Sequence, residues 1–89
     1  MASMLIQHKV KDYAEWRKVF EAHEGLRKSS GELSHQIFRD ASDPNKLVTL
    51  NTWKSLAEAQ KFASSPELRA AMAEAGVEGI PLVSFLNEV

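Results

Sequence analysis

Cysteine is absent from this chain of 89 residues, which excludes disulfides, thiolate metal sites and a cysteine nucleophile. The four glycines are isolated, so no glycine-rich loop exists to cradle a phosphate. Apolar runs last only a few residues, far short of the roughly 20 a membrane-spanning helix needs. Met1-Ala2-Ser3-Met4 lacks the charged-then-apolar layout of a signal peptide, and a cytoplasmic location is the simplest expectation. Two methionines three residues apart suggest that Met1 to Ser3 is an added remnant, which leaves 4–89 as one domain. A basic excess is also missing. Eleven basic side chains face twelve acidic ones, for a net charge of −1, whereas phosphate neutralisation supplies much of a nucleic-acid binder's affinity. The basic residues sit beside acids, as in Glu15-Trp16-Arg17-Lys18 and Glu67-Leu68-Arg69, the pattern of a solvated helix face. Neither nucleic acid nor membrane is expected as a partner.

What is present is ordinary globular composition, 44% hydrophobic and 26% charged, which rules out a disordered tail. A domain this small buries only about 60–65% of its unfolded surface, and without covalent staples such chains often oligomerise.

Met4 to Val10 alternates as a strand, with Ile6, His8 and Val10 on one face. Asp12 opens a helix, its carboxylate placed to accept from the N–H of Glu15. Tyr13, Trp16, Val19, Phe20, His23 and Leu26 form one stripe at three- and four-residue steps, which predicts an amphipathic helix of about four turns ending near Ser29-Ser30-Gly31. Glu32 to Arg39 reads as a strand with Leu33, His35 and Ile37 on one face. The turn 40–46, with Pro44, leads into a third strand from Leu47 to Trp53. Ser55-Leu56-Ala57-Glu58 is a capping box. Ser65-Pro66 restarts the helix, because proline suits the first helical position, so this helix is predicted as two pieces, 55–63 and 66–75. Gly76 ends the second piece. Ile80 to Val89 reads as a last strand, apolar enough for both faces to be covered.

The order β-α-β-β-α-β predicts an α+β, ferredoxin-like domain: a four-stranded antiparallel sheet with its helices on one face. With sheet order 4-1-3-2, the third strand separates His8 from His35. Both residue sets of the strands contain leucine, isoleucine, valine or aromatic side chains, so whichever face the helices leave uncovered is a large apolar patch, expected to be buried in a homodimer through the sheet faces.

The segment Leu50-Asn51-Thr52-Trp53-Lys54-Ser55-Leu56-Ala57-Glu58-Ala59, followed by Phe62-Ala63-Ser64-Ser65-Pro66-Glu67-Leu68, resembles the antibiotic biosynthesis monooxygenase superfamily. The element order fits that superfamily along almost the whole chain. The resemblance implies a dimeric α+β barrel with a small pocket between each sheet and its helices. Its members range from cofactor-free oxygenases to haem-degrading enzymes, isomerases, cyclases and proteins without known activity. Asn51 stands where the family's strand commonly carries glutamate, and Phe62 where its helix usually carries histidine. A haem-degrading relative would need that histidine. Among the cofactor-free oxygenases, side chains resembling Asn51 and Trp53 hold a phenolic or quinol substrate.

His23 is the first candidate for chemistry. A neutral imidazole on the apolar stripe can take a proton from a phenol near neutral pH; the structural alternative is a boundary histidine bonded to a carbonyl. Asn51 and Trp53 share a strand face, which would let the amide orient a substrate oxygen while the indole stacks on a ring. The alternative makes Trp53 core and bonds Asn51 to neighbouring backbone. The catalytic expectation falls on His23 and Asn51, and the substrate-binding one on Trp16, Trp53, Tyr13, Phe62 and His35. Tyr13 and Trp16 could instead be plain core. The three histidines lack metal-ligand spacing, and neither a metal nor another cofactor is expected. One or both of His8 and His35 are expected to titrate at the interface between copies. The reading is a small protein that binds a modest apolar or aromatic molecule between sheet and helices, with cofactor-free oxygenation of a phenol or quinol as its reaction. The alternatives are a non-catalytic ligand-binding or stress-associated dimer, and a polyketide cyclase or isomerase.

Overall fold

A computed structural model describes residues 1–89. Four strands, β1 (Ala2–Val10), β2 (Glu32–Arg39), β3 (Lys46–Trp53) and β4 (Val77–Asn87), form one antiparallel sheet in the order β2-β3-β1-β4. This is the expected α+β, ferredoxin-like sheet. Four short helices, α1 (Tyr13–Ala22), α2 (Glu24–Ser29), α3 (Leu56–Ala63) and α4 (Pro66–Glu74), connect the strands. None is long and apolar enough to cross a membrane. β1 begins two residues earlier than the sequence suggests, because Ala2 and Ser3 pair with Trp53 and Thr52 of β3.

The caps determine where the helices start. Ser55 Oγ accepts from the Glu58 N–H at 3.1 Å, and Ser65 Oγ from the Leu68 N–H at 3.2 Å with Pro66 in the first turn, so the second helical segment splits where predicted. Asp12 caps α1 through the N–H of Ala14 rather than that of Glu15. The first segment also splits, against expectation, at His23 (φ −98°, ψ 11°). Side chains take the carbonyls at that end. The His23 ring bonds Val19 O, and the Arg27 guanidinium bonds Phe20 O, which caps α1 before α2 begins.

Gly31, at φ +115°, leads into a bulge between Glu32 and Ser34. Side chains with a Cβ rarely adopt that φ, so the turn favours glycine there. The extra residue turns Glu32 towards the helices and leaves Leu33 half-exposed. The alternation read from the sequence therefore holds for His35 and Ile37 and fails at Leu33.

The helix-covered face carries Met4, Ile6, His8 and Val10 from β1, and Leu47, Thr49, Asn51 and Trp53 from β3, all buried. The apolar side chains gather in two clusters rather than one. Met4, Ile6, Trp53, Ala59 and Phe62 pack at one end, while Val10, Trp16, Leu47 and Ala75 pack at the other. β4 starts at Val77 and lies at the sheet edge. Within one chain neither of its faces is covered as the sequence suggested. Ile80, Leu82, Val83, Phe85 and Leu86 all remain substantially exposed, because the helices lie over the middle of the sheet.

Candidate functional site

Between the two clusters lies a cavity of about 70 Å³, inside a cleft of about 590 Å³ when its open mouth is counted. Ile6, His8, Thr49 and Asn51 contribute to its floor on the sheet, Trp16, Val19, Phe20 and His23 come from the first helical segment, and Leu68, Ala71 and Met72 come from α4. The lining is mostly apolar, with a few polar side chains, as small-molecule sites are.

His23 lies at the junction of α1 and α2, with its Nδ1 2.8 Å from Val19 O. A carbonyl only accepts, so Nδ1 carries a proton, and in the neutral ring the lone pair is on Nε2.

Asn51 is held from behind. Its Nδ2 donates to Glu32 Oε2 at 2.6 Å. A carboxylate cannot donate, so this contact fixes the amide orientation and leaves Oδ1 buried without a partner. Glu32 in turn accepts from Arg27 Nε, 3.1 Å from Oε2, and lies 3.3 Å from His35 Nδ1. Arg27 donates to Phe20 O, and its guanidinium stacks 3.6 Å from the centre of the Phe20 ring. Arg27 and Glu32 are each only 5% exposed, so this ion pair is desolvated, with Phe20 O, Asn51 and His35 as its further polar neighbours.

Of the residues expected to bind substrate, Trp16 and Phe62 line the cavity, whereas Trp53, Tyr13 and His35 do not. Trp53 is fully buried below Phe62, with ring centres 5.0 Å apart, and its indole N–H has no partner. Tyr13 stacks on Trp16 at 6.0 Å, and His35 meets Phe20 edge-on at 4.9 Å. The two histidines expected at a contact between copies, His8 and His35, both lie on the helix-covered face, His8 beside Trp16 at 5.7 Å and His35 beside Phe20. No three histidine, aspartate or glutamate side chains converge where they could hold a metal ion.

Sequence reasoning missed Arg27, Glu32 and the inward role of His8. A charged residue beside Lys28 gives no sign of burial, and the bulge that turns Glu32 inward is not visible in an alternation pattern. For His8 there was a signal: a polar residue in mid-strand on the Ile6–Val10 face. Both of its ring nitrogens are buried without partners.

Burial pushes the His8 imidazole below its ordinary range. Its folded value is thus lower than its unfolded one, so its contribution to stability is intact above about pH 6.5 and is lost as the pH falls towards the folded value. Urea midpoints measured from pH 7.5 to 5 are expected to fall in the wild type and to fall less steeply in His8→Leu. Equal slopes would show that His8 titrates alike folded and unfolded.

Solved structures similar to this one share the fold. SnoaB, a cofactor-independent oxygenase from Streptomyces nogalater, is 14% identical with a TM-score of 0.79, covering 99% of this chain and 92% of its own. A Bordetella bronchiseptica protein named for antibiotic biosynthesis monooxygenases is 13% identical with a TM-score of 0.82, covering 99% and 96%. One from Caulobacter crescentus is 22% identical with a TM-score of 0.77, covering 99% and 89%. No curated protein matches the sequence. The family model for antibiotic biosynthesis monooxygenase matches residues 3–74, most of the chain, and the protein belongs to that family.

Proposed function

We propose that the protein is a homodimer that binds a modest apolar or aromatic molecule in the cavity between sheet and helices and oxidises it, as a phenol or quinol, without a cofactor. One observation carries the reading: the basic nitrogen of His23 and the unpartnered Oδ1 of Asn51 belong to side chains that line one largely apolar cavity. The family membership and the likeness to a cofactor-independent oxygenase support it.

In this reading a substrate hydroxyl gives its proton to His23 Nε2, the general base. Asn51 Oδ1 accepts from a second donor of the substrate and holds its orientation. Trp16, Phe20 and Phe62 exclude water around the anion. The anion itself reduces O₂, and one oxygen atom enters the product while the other leaves as water. The closed interior is smaller than the roughly 150 Å³ that a benzene-sized guest occupies in engineered cavities. An aromatic substrate therefore requires lining side chains to move, the flexible Met72 among them.

Oxygen uptake with anthrones, naphthols and hydroquinones tests the reaction. The expected result is turnover that falls about a hundredfold or more in His23→Ala, and by less in Asn51→Ala. Turnover unchanged by His23→Ala removes the base assigned here. The small interior favours a second reading, a non-catalytic binding protein, which predicts saturable binding of the same compounds without oxygen uptake.

A further inference from the structure

His8 is left unused by that reaction, yet it is the cavity-lining residue with every polar side-chain atom buried and unpartnered. It is 8% exposed and Asn51 is 3% exposed. Leaving such atoms unpaired is costly unless a bound molecule or water satisfies them. We propose that His8 is a second polar anchor, at the opposite end of the cavity from Asn51, and that it hydrogen-bonds one hydroxyl of a flat, neutral molecule bearing hydroxyls at both ends. The proposal rests on the cavity being the binding site.

The register supplies the distance. His8 faces Leu47 and Asn51 faces Met4 across the β1–β3 pair. Four residues of strand separate the two positions, about 14 Å along the sheet. Ile6 and Thr49, which face each other in that register, form the floor between them. The two anchors therefore cannot share one ligand atom. They bracket a body of two or so fused rings lying between the helix side chains and the sheet.

The donor and acceptor inventory selects the chemistry. Asn51 offers an acceptor alone, since its N–H group is committed to Glu32. Neutral His8 offers one N–H and one lone pair. A hydroxyl satisfies either end. Of the charged groups lining the cavity, Arg27 is already paired with Glu32, and Glu67 is the other. Arg27 is thus not free to receive a carboxylate or phosphate, and His8 itself resists protonation. A neutral diol fits where an anion does not.

Calorimetry under argon, which prevents oxidation during the titration, tests the anchor with 2,6-dihydroxynaphthalene against 2-naphthol. The expected result is binding of the diol about tenfold tighter than the mono-ol, the worth of one hydrogen bond. That ratio should drop to about one in His8→Leu and recover in part in His8→Gln, whose amide again donates and accepts. Thermal melts of both variants verify that they are folded. A ratio unchanged in folded His8→Leu overturns the proposal, as does the lack of saturable diol binding to the wild type. A diol bound with the His8-dependent ratio but never oxidised supports the anchor and overturns only the catalytic reading.

Discussion

Arg27→Met is expected to lower the free energy of unfolding by about 3–5 kcal/mol, the usual cost of stranding one partner of a buried ion pair. Removal of the guanidinium leaves the Glu32 carboxylate, with its side chain 1% exposed, beside Asn51 and His35. It also removes the donor to Phe20 O that caps α1. A domain of this size has only about 5–10 kcal/mol of stability in total, so the variant should sit near the edge of unfolding. Urea unfolding at constant m-value measures the loss. Replacing both charges, Arg27→Met with Glu32→Leu, is expected to recover much of it, since the anion no longer needs a partner. A single-variant loss below about 1 kcal/mol would show that Asn51 and His35 alone satisfy the carboxylate. In the double variant, loss of the carboxylate also frees the Asn51 amide to rotate, so that variant should weaken ligand binding even though the protein remains folded.

Leu50→Glu should act on the proposed dimer with comparable force. The sheet face away from the helices carries Leu5, Val48 and Leu50, and Phe38, Leu82 and Leu86 on the outer strands. Phe38, Leu82 and Leu86 are 51%, 64% and 42% exposed in one chain. Apolar side chains gathered on one sheet face, here among Gln7, Gln36 and Ser84, favour an interaction surface, and a stable homodimer buries about 800 Å² or more per partner. Burying an unpaired carboxylate at the centre of that face costs several kcal/mol, so the dimer dissociation constant should rise at least about a hundredfold. Sedimentation is expected to give twice the 9.9 kDa chain mass for the wild type and the single mass for the variant. A variant that stays dimeric would place the contact elsewhere.

Much of the architecture was readable because local chemistry decides it. Two serine caps, one proline and the turn at Pro44 mark boundaries that depend on neighbours a few residues away. Gly76 ends α4 at φ +78°, as its position suggested. The break at His23 was not readable, because it is made by Arg27 reaching back seven residues to Phe20 O. Leu33 was misplaced for a related reason: an alternation pattern counts residues evenly and cannot register a bulge. The candidate site divides along the same line. His23, Asn51, Trp16 and Phe62 line the cavity because helical phase and strand parity carry their direction. Trp53 shares its strand face with Asn51, yet a parity argument gives direction and not depth, and Phe62 covers it. The Arg27–Glu32 pair joins two elements through a turn, and only the folded chain brings it together.

The helix α4 contributes no fully buried residue, although Leu68, Ala71 and Met72 wall one side of the cavity. α1, by contrast, is anchored by the buried Trp16. α4 is held instead by the partly buried Leu68 and Met72 and by Ala75 at its C-cap, and local opening is least costly where few apolar atoms leave their contacts. The lifetime of a guest in the proposed site is then expected to depend on how often α4 opens as well as on the guest's own contacts. Sequence changes along the outer surface of α4, remote from any bound atom, would tune residence time while leaving the choice of guest to the sheet.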